Sequence, residues 1–243
     1  MKVAARTDIG QNRDMNQDFI FVSENPVGNL PNLCVVADGM GGHNAGEYAS
    51  QKTVEVMIAQ LMRGGKESIK EQIRNAAYQA NQTILDVAKS DQKMQGMGTT
   101  LVGVVCDGAK ATVFNVGDSR MYIIRSNGIS QVTEDHSLVQ EMVNKGEITS
   151  ADMKEHPRKN IITRAVGVQD ELDVDFFDLE LKEGNLLLLC SDGLSNMLKE
   201  EEIQQVVYNR KISIELRVEQ LVQMANDNGG ADNISVILVD PFA

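Results

Sequence analysis

Apolar and polar residues alternate in short runs through most of the chain, and this pattern predicts β-strands. Two longer stretches repeat apolar residues every three or four positions, which predicts helices over residues 45–61 and 69–88. Gly64-Gly65 separates them, and a further helix is predicted over residues 214–225. The predicted strands are residues 2–7, 18–22, 33–37, 99–105, 111–116, 120–125, 174–181, 186–190 and 234–239.

The order of these elements favours antiparallel sheets. Asp107-Gly108 and Asn127-Gly128 predict tight turns between neighbouring strands, and Asn-Gly is a strong hairpin signal. The helices come in pairs and do not alternate singly with strands, which disfavours a doubly wound parallel sheet. The sequence therefore predicts an α+β fold, a four-layer αββα sandwich in which two central antiparallel β-sheets are flanked by helix pairs. Residues 137–155 are predicted to form short polar helices.

Composition narrows the possible partners and the cellular location. The net charge of −12 and the lack of a basic stripe argue against nucleic acid and against an anionic membrane surface. Cys34, Cys106 and Cys190 lie in apolar runs without metal-ligand spacing, which indicates buried thiols in a reducing compartment. No signal peptide and no membrane-spanning run is visible, so a cytoplasmic location is expected.

Aspartates flank the most apolar predicted strands. Strand ends in a packed sandwich lie along common edges, where converging carboxylates would repel each other strongly without cations. Oxygen ligands without Cys or His at metal spacing favour Mg²⁺ or Mn²⁺ over zinc. Taken singly, each Asp-Gly pair is more typical of an ordinary turn than of a metal ligand, and spacing alone does not prove that the aspartates converge. The residues concerned are Asp18, Asp38, Asp118, Asp192 and Asp232.

The glycines after Asp38 do not form a nucleotide-binding loop. Residues 41–46 have Walker-like spacing, but Glu47-Tyr48 replaces the required Lys-Ser/Thr. The Rossmann pattern fails because Asn44 occupies the place of the third glycine. Gly39 has no side chain, so its carbonyl group is expected to approach an ion beside Asp38.

Seven short motifs follow one another along the chain. They are Thr7-Asp8-Ile9-Gly10 with Arg13 and Asn16-Gln17-Asp18, Val36 to Gly42, Gly98-Thr99-Thr100, Val116 to Arg120, His156-Pro157 with Ile162 to Gly167, Ser191 to Leu194, and Asp232 to Ser235. In this order they resemble the metal-dependent protein phosphatases of type 2C (the PPM family), in particular the free-standing bacterial serine/threonine phosphatases. The resemblance covers nearly the whole chain. It implies a single catalytic domain over residues 1–243, with a mobile flap subdomain at about residues 137–162.

The resemblance also implies a two-metal centre that holds Mn²⁺ or Mg²⁺. Asp38 would bridge both ions, and Asp192 and Asp232 would complete the first site. The Gly39 carbonyl group would serve the second ion, which Asp18 would reach directly or through water.

Two further residues follow from the same resemblance. Asp118, together with Asp192, would hold a third, weaker ion, and Arg13 would contact the phosphoryl group. The implied activity is hydrolysis of phosphoserine and phosphothreonine in proteins, by direct attack of a metal-activated water. Arg13 and Asp38 are then the catalytic residues. The expected partners are phosphorylated proteins and a cognate serine/threonine kinase, and the expected oligomeric state is a monomer.

Departures from the family pattern qualify this interpretation. Gln17 stands where many eukaryotic relatives carry Glu, which predicts weaker binding of the second metal. Met40 stands where those relatives often carry a histidine proposed as general acid, so metal-bound water is expected to protonate the leaving group. Two alternative functions remain open: a phosphatase of an anti-sigma-antagonist switch protein, and a non-catalytic regulator that binds phosphoproteins.

Four other polar residues are expected to act mainly in the structure. Arg120 is expected to pair with a carboxylate, and His43 and His136 to have structural roles. His156 is expected to have a structural role or a modest role in substrate contact.

Overall fold

Two antiparallel β-sheets form the centre of the computed structural model, which describes residues 1–42 and 44–243 apart from the side chains of residues 154 and 155. The strands are β1 (Lys2–Asp8), β2 (Asp18–Ser23), β3 (Leu33–Met40), β4 (Gly98–Thr99), β5 (Leu101–Asp107), β6 (Lys110–Val116), β7 (Arg120–Arg125), β8 (Gly128–Gln131), β9 (Asp175–Glu180), β10 (Leu186–Cys190) and β11 (Ile234–Asp240). The helices are α1 (Ala45–Leu61), α2 (Ile69–Ser90), α3 (Leu138–Asn144), α4 (Asp192–Ser195), α5 (Glu200–Val207) and α6 (Ile214–Asp227), with 3₁₀ turns at Gln92–Met94 and Asp152–Glu155.

The strand order is β1-β11-β10-β7-β8 in the first sheet and β2-β3-β5-β6-β9 in the second, where β4 also pairs with β3. All of these pairings are antiparallel. This architecture confirms the predicted α+β class and its two antiparallel sheets.

Three apolar layers hold the sheets and helices together. Side chains such as Val36 and Leu187 fill the space between the two sheets. Helices α1 and α2 cover the outer face of the second sheet, where Met57 packs in the same cluster as Phe114. Helices α5 and α6 cover the outer face of the first sheet through residues such as Leu221. The result is the predicted four-layer sandwich.

Serine caps begin two of the longer helices. The Ser68 hydroxyl accepts a hydrogen bond from the Glu71 N–H at the start of α2, and Ser213 accepts one from the Leu216 N–H at the start of α6. The predicted helix over 45–61 is confirmed with those bounds, and the one predicted over 69–88 continues to residue 90. None of the described helices combines the length and apolarity that crossing a bilayer requires.

Two details of the predicted secondary structure were wrong. The hairpin turn comprises residues 126–127 and not Asn127-Gly128, because Gly128 already pairs with Arg125 in the β7-β8 ladder. Helix α5 was not predicted. Its first turn consists of acidic residues, which obscure the apolar pattern of the buried Ile203 and Val207.

A close cross-strand contact gives a test of the core. Gly103 of β5 lies opposite Phe114 of β6, and a Cβ at Gly103 would stand 2.1 Å from the ring carbon Cζ. Because Phe114 is fully buried, we expect Gly103→Ala to lower the free energy of unfolding by about 1–3 kcal/mol, measured by urea denaturation. At Gly42 a Cβ would meet no atom within 4 Å, so Gly42→Ala should change stability by less than about 0.5 kcal/mol. Equal stabilities of the two variants would contradict this packing.

Candidate metal centre

The five predicted aspartates come together at one end of the sandwich. Asp18 and Asp38 lie directly opposite each other in the β2-β3 ladder. Asp192 begins α4 directly after β10, and Asp232 lies just before β11, the neighbour of β10 in the first sheet. Each of the other four carboxylates, including Asp118 after β6, raises the pKa of Asp38. The two sheets therefore contribute to one acidic cluster.

The position of Asp38 within its strand differs from the prediction. Strand β3 continues to Met40, and its last two residues pair with β4, so Asp38 lies inside the strand and not at its end. The Gly98-Thr99-Thr100 motif holds this segment. The Asp38 N–H donates to the Thr100 hydroxyl at 2.9 Å, and the Thr99 hydroxyl and the Thr100 N–H both donate to the Asp38 carbonyl oxygen at 2.9 Å.

Asn233 joins the first motif of the chain to the last. Its side-chain amide donates to the carbonyl oxygens of Ile9 and Met15 and accepts from the Gln17 N–H, with donor–acceptor distances of 2.8–2.9 Å. Asn233 is buried, so these bonds are shielded from water. They fix the loop that carries Arg13 against the Asp232 segment.

Burial and mutual repulsion raise the pKa of four of the five carboxyl groups above the ordinary value, namely those of Asp18, Asp38, Asp118 and Asp192. Burial, with repulsion from Asp192, raises the pKa of Asp18 to about 7 despite a hydrogen bond from the Ser191 hydroxyl at 2.7 Å. Burial and Asp192 likewise raise the pKa of Asp118 to about 7. The pKa of Asp38 lies well above the ordinary range for the same two reasons, burial first.

Some carboxyl oxygens of the cluster lack the hydrogen bonds that would offset the cost of their burial. Asp18 Oδ1 and Asp192 Oδ1 are buried and have no hydrogen-bond partner among the residues that the structure describes. Asp38 lies close enough to Asp192 for the two carboxyl groups to interact. Buried carboxyl oxygens that lack partners are costly unless a cation binds them, and an all-oxygen donor set fits Mg²⁺ or Mn²⁺. The cluster thus has the charge and the ligand chemistry of a magnesium or manganese site.

The described carboxyl groups of the cluster do not have the arrangement of metal ligands. Within residues 1–42 and 44–243, no group of three or more His, Cys, Asp or Glu side chains has the geometry to hold a metal. Asp192 accepts from the Asn196 amide at 3.0 Å, and Asp18 accepts from the Ser191 hydroxyl at 2.7 Å.

Arg13 is the basic residue that contacts the cluster in a salt bridge. Its Nη2 atom lies 2.7 Å from Asp232 Oδ2, and its side chain is 49 % exposed. A guanidinium group carries five N–H donors, so this one contact leaves most of its donors available to an incoming anion.

Gly39 lacks a side chain for a reason of packing. A Cβ there would lie 2.0 Å from the Gly46 carbonyl oxygen, so a side chain would push α1 away from β3. The Gly39 N–H donates to the Gln17 carbonyl oxygen at 3.1 Å. The expectation that its own carbonyl group reaches an ion stays a prediction, as does the weaker second site expected from Gln17.

The expected carboxylate partner of Arg120 is Asp135. The guanidinium donates to both oxygens of this buried carboxylate, from Nε at 3.0 Å and from Nη2 at 2.6 Å. Such bidentate pairs fix geometry as well as charge. This confirms the expected role of Arg120, whose partner lies too far along the sequence to be identified from spacing.

His136 has the structural role that was expected, and the structure shows what it joins. Its Nδ1 atom accepts from the Gly117 N–H at 2.9 Å, so Nε2 carries the proton and donates to Asp175 at 3.0 Å. Burial lowers the pKa of His136 and so favours this neutral form. The His136 carbonyl oxygen accepts from the Thr163 N–H at 2.8 Å. His136 therefore connects the loop that bears Asp118 to both ends of the segment between residues 137 and 162.

The other two histidines are less informative. His43 lies outside the described residues. His156 is partly exposed, and its Nδ1 atom accepts from the Arg158 N–H at 3.2 Å, which agrees with a local structural role.

A cavity beside the cluster contains residues that the sequence analysis did not single out. Lys159 and Lys199 line it together with Asp118 and Asp192. Neither lysine belongs to a recognisable motif, and they are 40 positions apart in sequence, so no spacing signal could have paired them.

Comparison with known proteins gives a consistent result. Residues 9–238 match the family model described as protein phosphatase 2C. The serine/threonine phosphatase stp of Listeria welshimeri is 40 % identical to this chain, over 99 % of this chain and 96 % of the relative.

Solved structures agree with this family over the same length. The serine/threonine phosphatase Stp1 from Staphylococcus aureus superposes with a TM-score of 0.91 at 35 % identity, covering 98 % of this chain and 93 % of the other. The catalytic domain of the serine/threonine protein phosphatase PstP, in complex with two manganese ions, superposes with a TM-score of 0.84 at 30 % identity, covering 98 % and 96 % of the two chains.

The contacts of His136 lead to a stability prediction. We expect His136→Ala to lower the free energy of unfolding by about 2–4 kcal/mol, because it leaves the Gly117 N–H and part of Asp175 without partners and opens a buried space. Urea denaturation of metal-free protein measures this. His156→Ala is the matched control and should cost less than about 1 kcal/mol, since it removes one partly exposed contact. A His136→Ala variant as stable as the control would show that the hydrogen bonds of His136 do not contribute this much to the free energy of unfolding.

Proposed function

We propose that this chain, which belongs to the protein phosphatase 2C family and is a metal-dependent serine/threonine protein phosphatase, holds its divalent cations on the five clustered aspartates. Asp38 would bridge two ions, with Asp192 and Asp232 on the first and Asp18 and the Gly39 carbonyl group on the second. The observation that carries this assignment is a pair of buried oxygens without partners among the described residues, Asp18 Oδ1 and Asp192 Oδ1, whose carboxyl groups both interact with that of Asp38.

The PPM family uses Mn²⁺ or Mg²⁺, and a similar structure contains two manganese ions. When bound, such ions supply an activated water nucleophile and offset the negative charge of the phosphoryl group. Asp118, whose carboxyl group faces Asp192 in the same cluster, supports a third and weaker ion. Ser191 and Thr100 position two of the proposed ligands. The Ser191 hydroxyl donates to Asp18, and the Thr100 hydroxyl accepts from the Asp38 N–H.

Arg13 would bind the phosphoryl oxygens. It is half-exposed at the rim of the cluster, and the bonds of Asn233 hold its loop in place. Guanidinium donors match phosphate geometry and need no deprotonation step. This role gives the acidic chain one of the local positive charges that an anionic substrate requires.

Phosphorylated proteins are the substrates, as the family assignment implies. We further propose a cognate serine/threonine kinase as the physiological partner, action as a monomer, and a flap subdomain formed by residues 137–162 within a single catalytic domain. The three cysteines are buried free thiols, which supports a reducing cytoplasm as the location. The chain matches relatives that are named as phosphatases over nearly its whole length, which argues against a non-catalytic regulator.

The direct test removes one ligand at a time. In Asp38→Asn and Asp192→Asn we expect Mn²⁺-dependent hydrolysis of a phosphothreonine peptide to fall at least about a hundredfold, because each substitution removes a fixed charge from the site. Mn²⁺ at about 100 times its dissociation constant should stabilise the wild type by about 2.7 kcal/mol and should stabilise Asp38→Asn much less. Thermal unfolding measures the second effect.

Asp86→Asn is the control for both measurements, since Asp86 is exposed on α2 and far from the cluster in sequence. It should match the wild type in turnover and in its response to Mn²⁺. Full turnover by Asp38→Asn would refute the assignment of the ligands.

Arg13 has its own prediction. We expect Arg13→Ala to lower kcat/KM for the phosphopeptide about 10- to 100-fold through loss of charge-assisted hydrogen bonds, while Mn²⁺ still stabilises the protein. Arg13→Lys should recover only part of this loss because an ammonium group cannot bind two phosphoryl oxygens in the same way. Arg63→Ala, a change at an exposed residue just after α1, serves as the control. An unchanged kcat/KM in Arg13→Ala would exclude the phosphate contact.

A further inference from the structure

A cavity of about 300 Å³ opens directly beside the aspartate cluster. Asp118 and Asp192 form one wall, so anything bound in the cavity lies next to the proposed phosphoryl site. The opposite walls come from the segment 137–162 and from residues 195–199, between α4 and α5. The space is large enough for one or two amino-acid side chains but is too confined for a folded domain.

The cations around this cavity are not equivalent. Arg120 is held by Asp135 in a bidentate pair, so its charge is already matched. Lys159 and Lys199 make no salt bridge with any side chain in the described part of the chain. Among the described residues that line the cavity, these two ammonium groups are therefore the positive charges available to a ligand.

Lys199 occupies a position where its side chain does not serve the helix. It is the N-cap of α5, a place that favours Ser, Thr, Asp or Asn because their oxygens accept from the first turn. An ammonium group has no acceptor, and here the Lys199 N–H instead donates to the Glu202 carboxylate at 2.8 Å. The adjacent Glu200 and Glu201 are exposed and do not line the cavity. The lysine side chain is thus free to act in the cavity.

Charge balance favours an anionic ligand once the cluster has bound its cations. The charges of Asp118 and Asp192 would then be neutralised by the metal ions, and the charge of Asp135 is neutralised by Arg120. The two lysines would therefore give the cavity a net positive charge. The chain as a whole carries a charge of −12 and repels acidic polypeptides at long range. Polar groups of Asn160, Ser195 and Asn196 add hydrogen-bonding capacity to the same walls.

We propose that Lys159 and Lys199 bind an acidic side chain of the phosphoprotein substrate, on a residue that flanks the phosphorylated serine or threonine. This inference rests on the proposed function, because the cavity acquires its meaning from the neighbouring phosphoryl site. The phosphatase would then select phosphorylation sites that lie beside Asp or Glu. The two lysines act as specificity-determining residues and take no part in breaking the phosphate bond.

The test uses phosphothreonine peptides that carry Glu or Gln at each flanking position in turn. In the wild type we expect one position at which Glu raises kcat/KM about tenfold over Gln, the size of one charge-assisted hydrogen bond. High salt should reduce this ratio because the cavity is open to solvent. In Lys159→Met/Lys199→Met the ratio should fall below about twofold, and in Lys199→Glu a peptide with Lys at that position should become preferred.

A binding measurement and two further variants separate recognition from folding and from turnover. A peptide with a non-hydrolysable phosphonate in place of phosphothreonine should show the same Glu preference in its dissociation constant, measured by fluorescence anisotropy. Lys199→Ser supplies an ordinary N-cap and should lose the preference without loss of thermal stability. Lys145→Met is the matched control, because Lys145 lies in the same segment, near Glu141, and does not line the cavity. It should keep the wild-type ratio.

Two results would overturn the inference. One is a wild type with no preference for Glu at any flanking position, and the other is a preference that survives in Lys159→Met/Lys199→Met. Failure of the proposed function would give a different result from failure of this inference: the wild type would not hydrolyse p-nitrophenyl phosphate with Mn²⁺. Hydrolysis of that small substrate together with equal rates on Glu and Gln peptides would reject only the acidic-residue subsite.

Discussion

Mutual repulsion among five clustered carboxyl groups is the constraint on which the rest of this structure depends. Burial and the neighbouring charges raise the pKa of Asp18 and Asp118 to about 7, and they also raise the pKa of Asp38 well above the ordinary range. A fold optimised only for stability would not collect these groups. In the proposed function, bound cations would offset this cost and would supply the activated water that a phosphatase needs.

The sandwich divides the cluster between its two sheets. Asp18 and Asp38 belong to the second sheet, whereas Asp192 and Asp232 flank neighbouring strands of the first. The site is therefore complete only when the apolar layer between the sheets is packed. Buried hydrogen bonds across this division, from Ser191 to Asp18 and from Gln17 to Asn233, hold the halves in register.

The basic residues around the cluster have three different roles. Arg13 contacts a member of the cluster and remains half-exposed, Arg120 is fully engaged with Asp135, and the two cavity lysines are unpaired among the described residues. In the proposed function, the half-exposed Arg13 and the two cavity lysines would place positive charge where the anionic substrate binds. Burial and pairing thus separate structural cations from those available to a ligand.

Local sequence patterns determined much of this molecule, but not the contacts that make its site. Apolar periodicity fixed the bounds of α1, because residues on one helix face are set by local geometry alone. It did not show that Asp38 lies inside β3, that Arg120 pairs with Asp135, or that Ser191 donates to Asp18. Those contacts depend on strand register and on packing between distant segments. Only the tertiary structure could decide them, since the residues involved have no fixed separation along the chain.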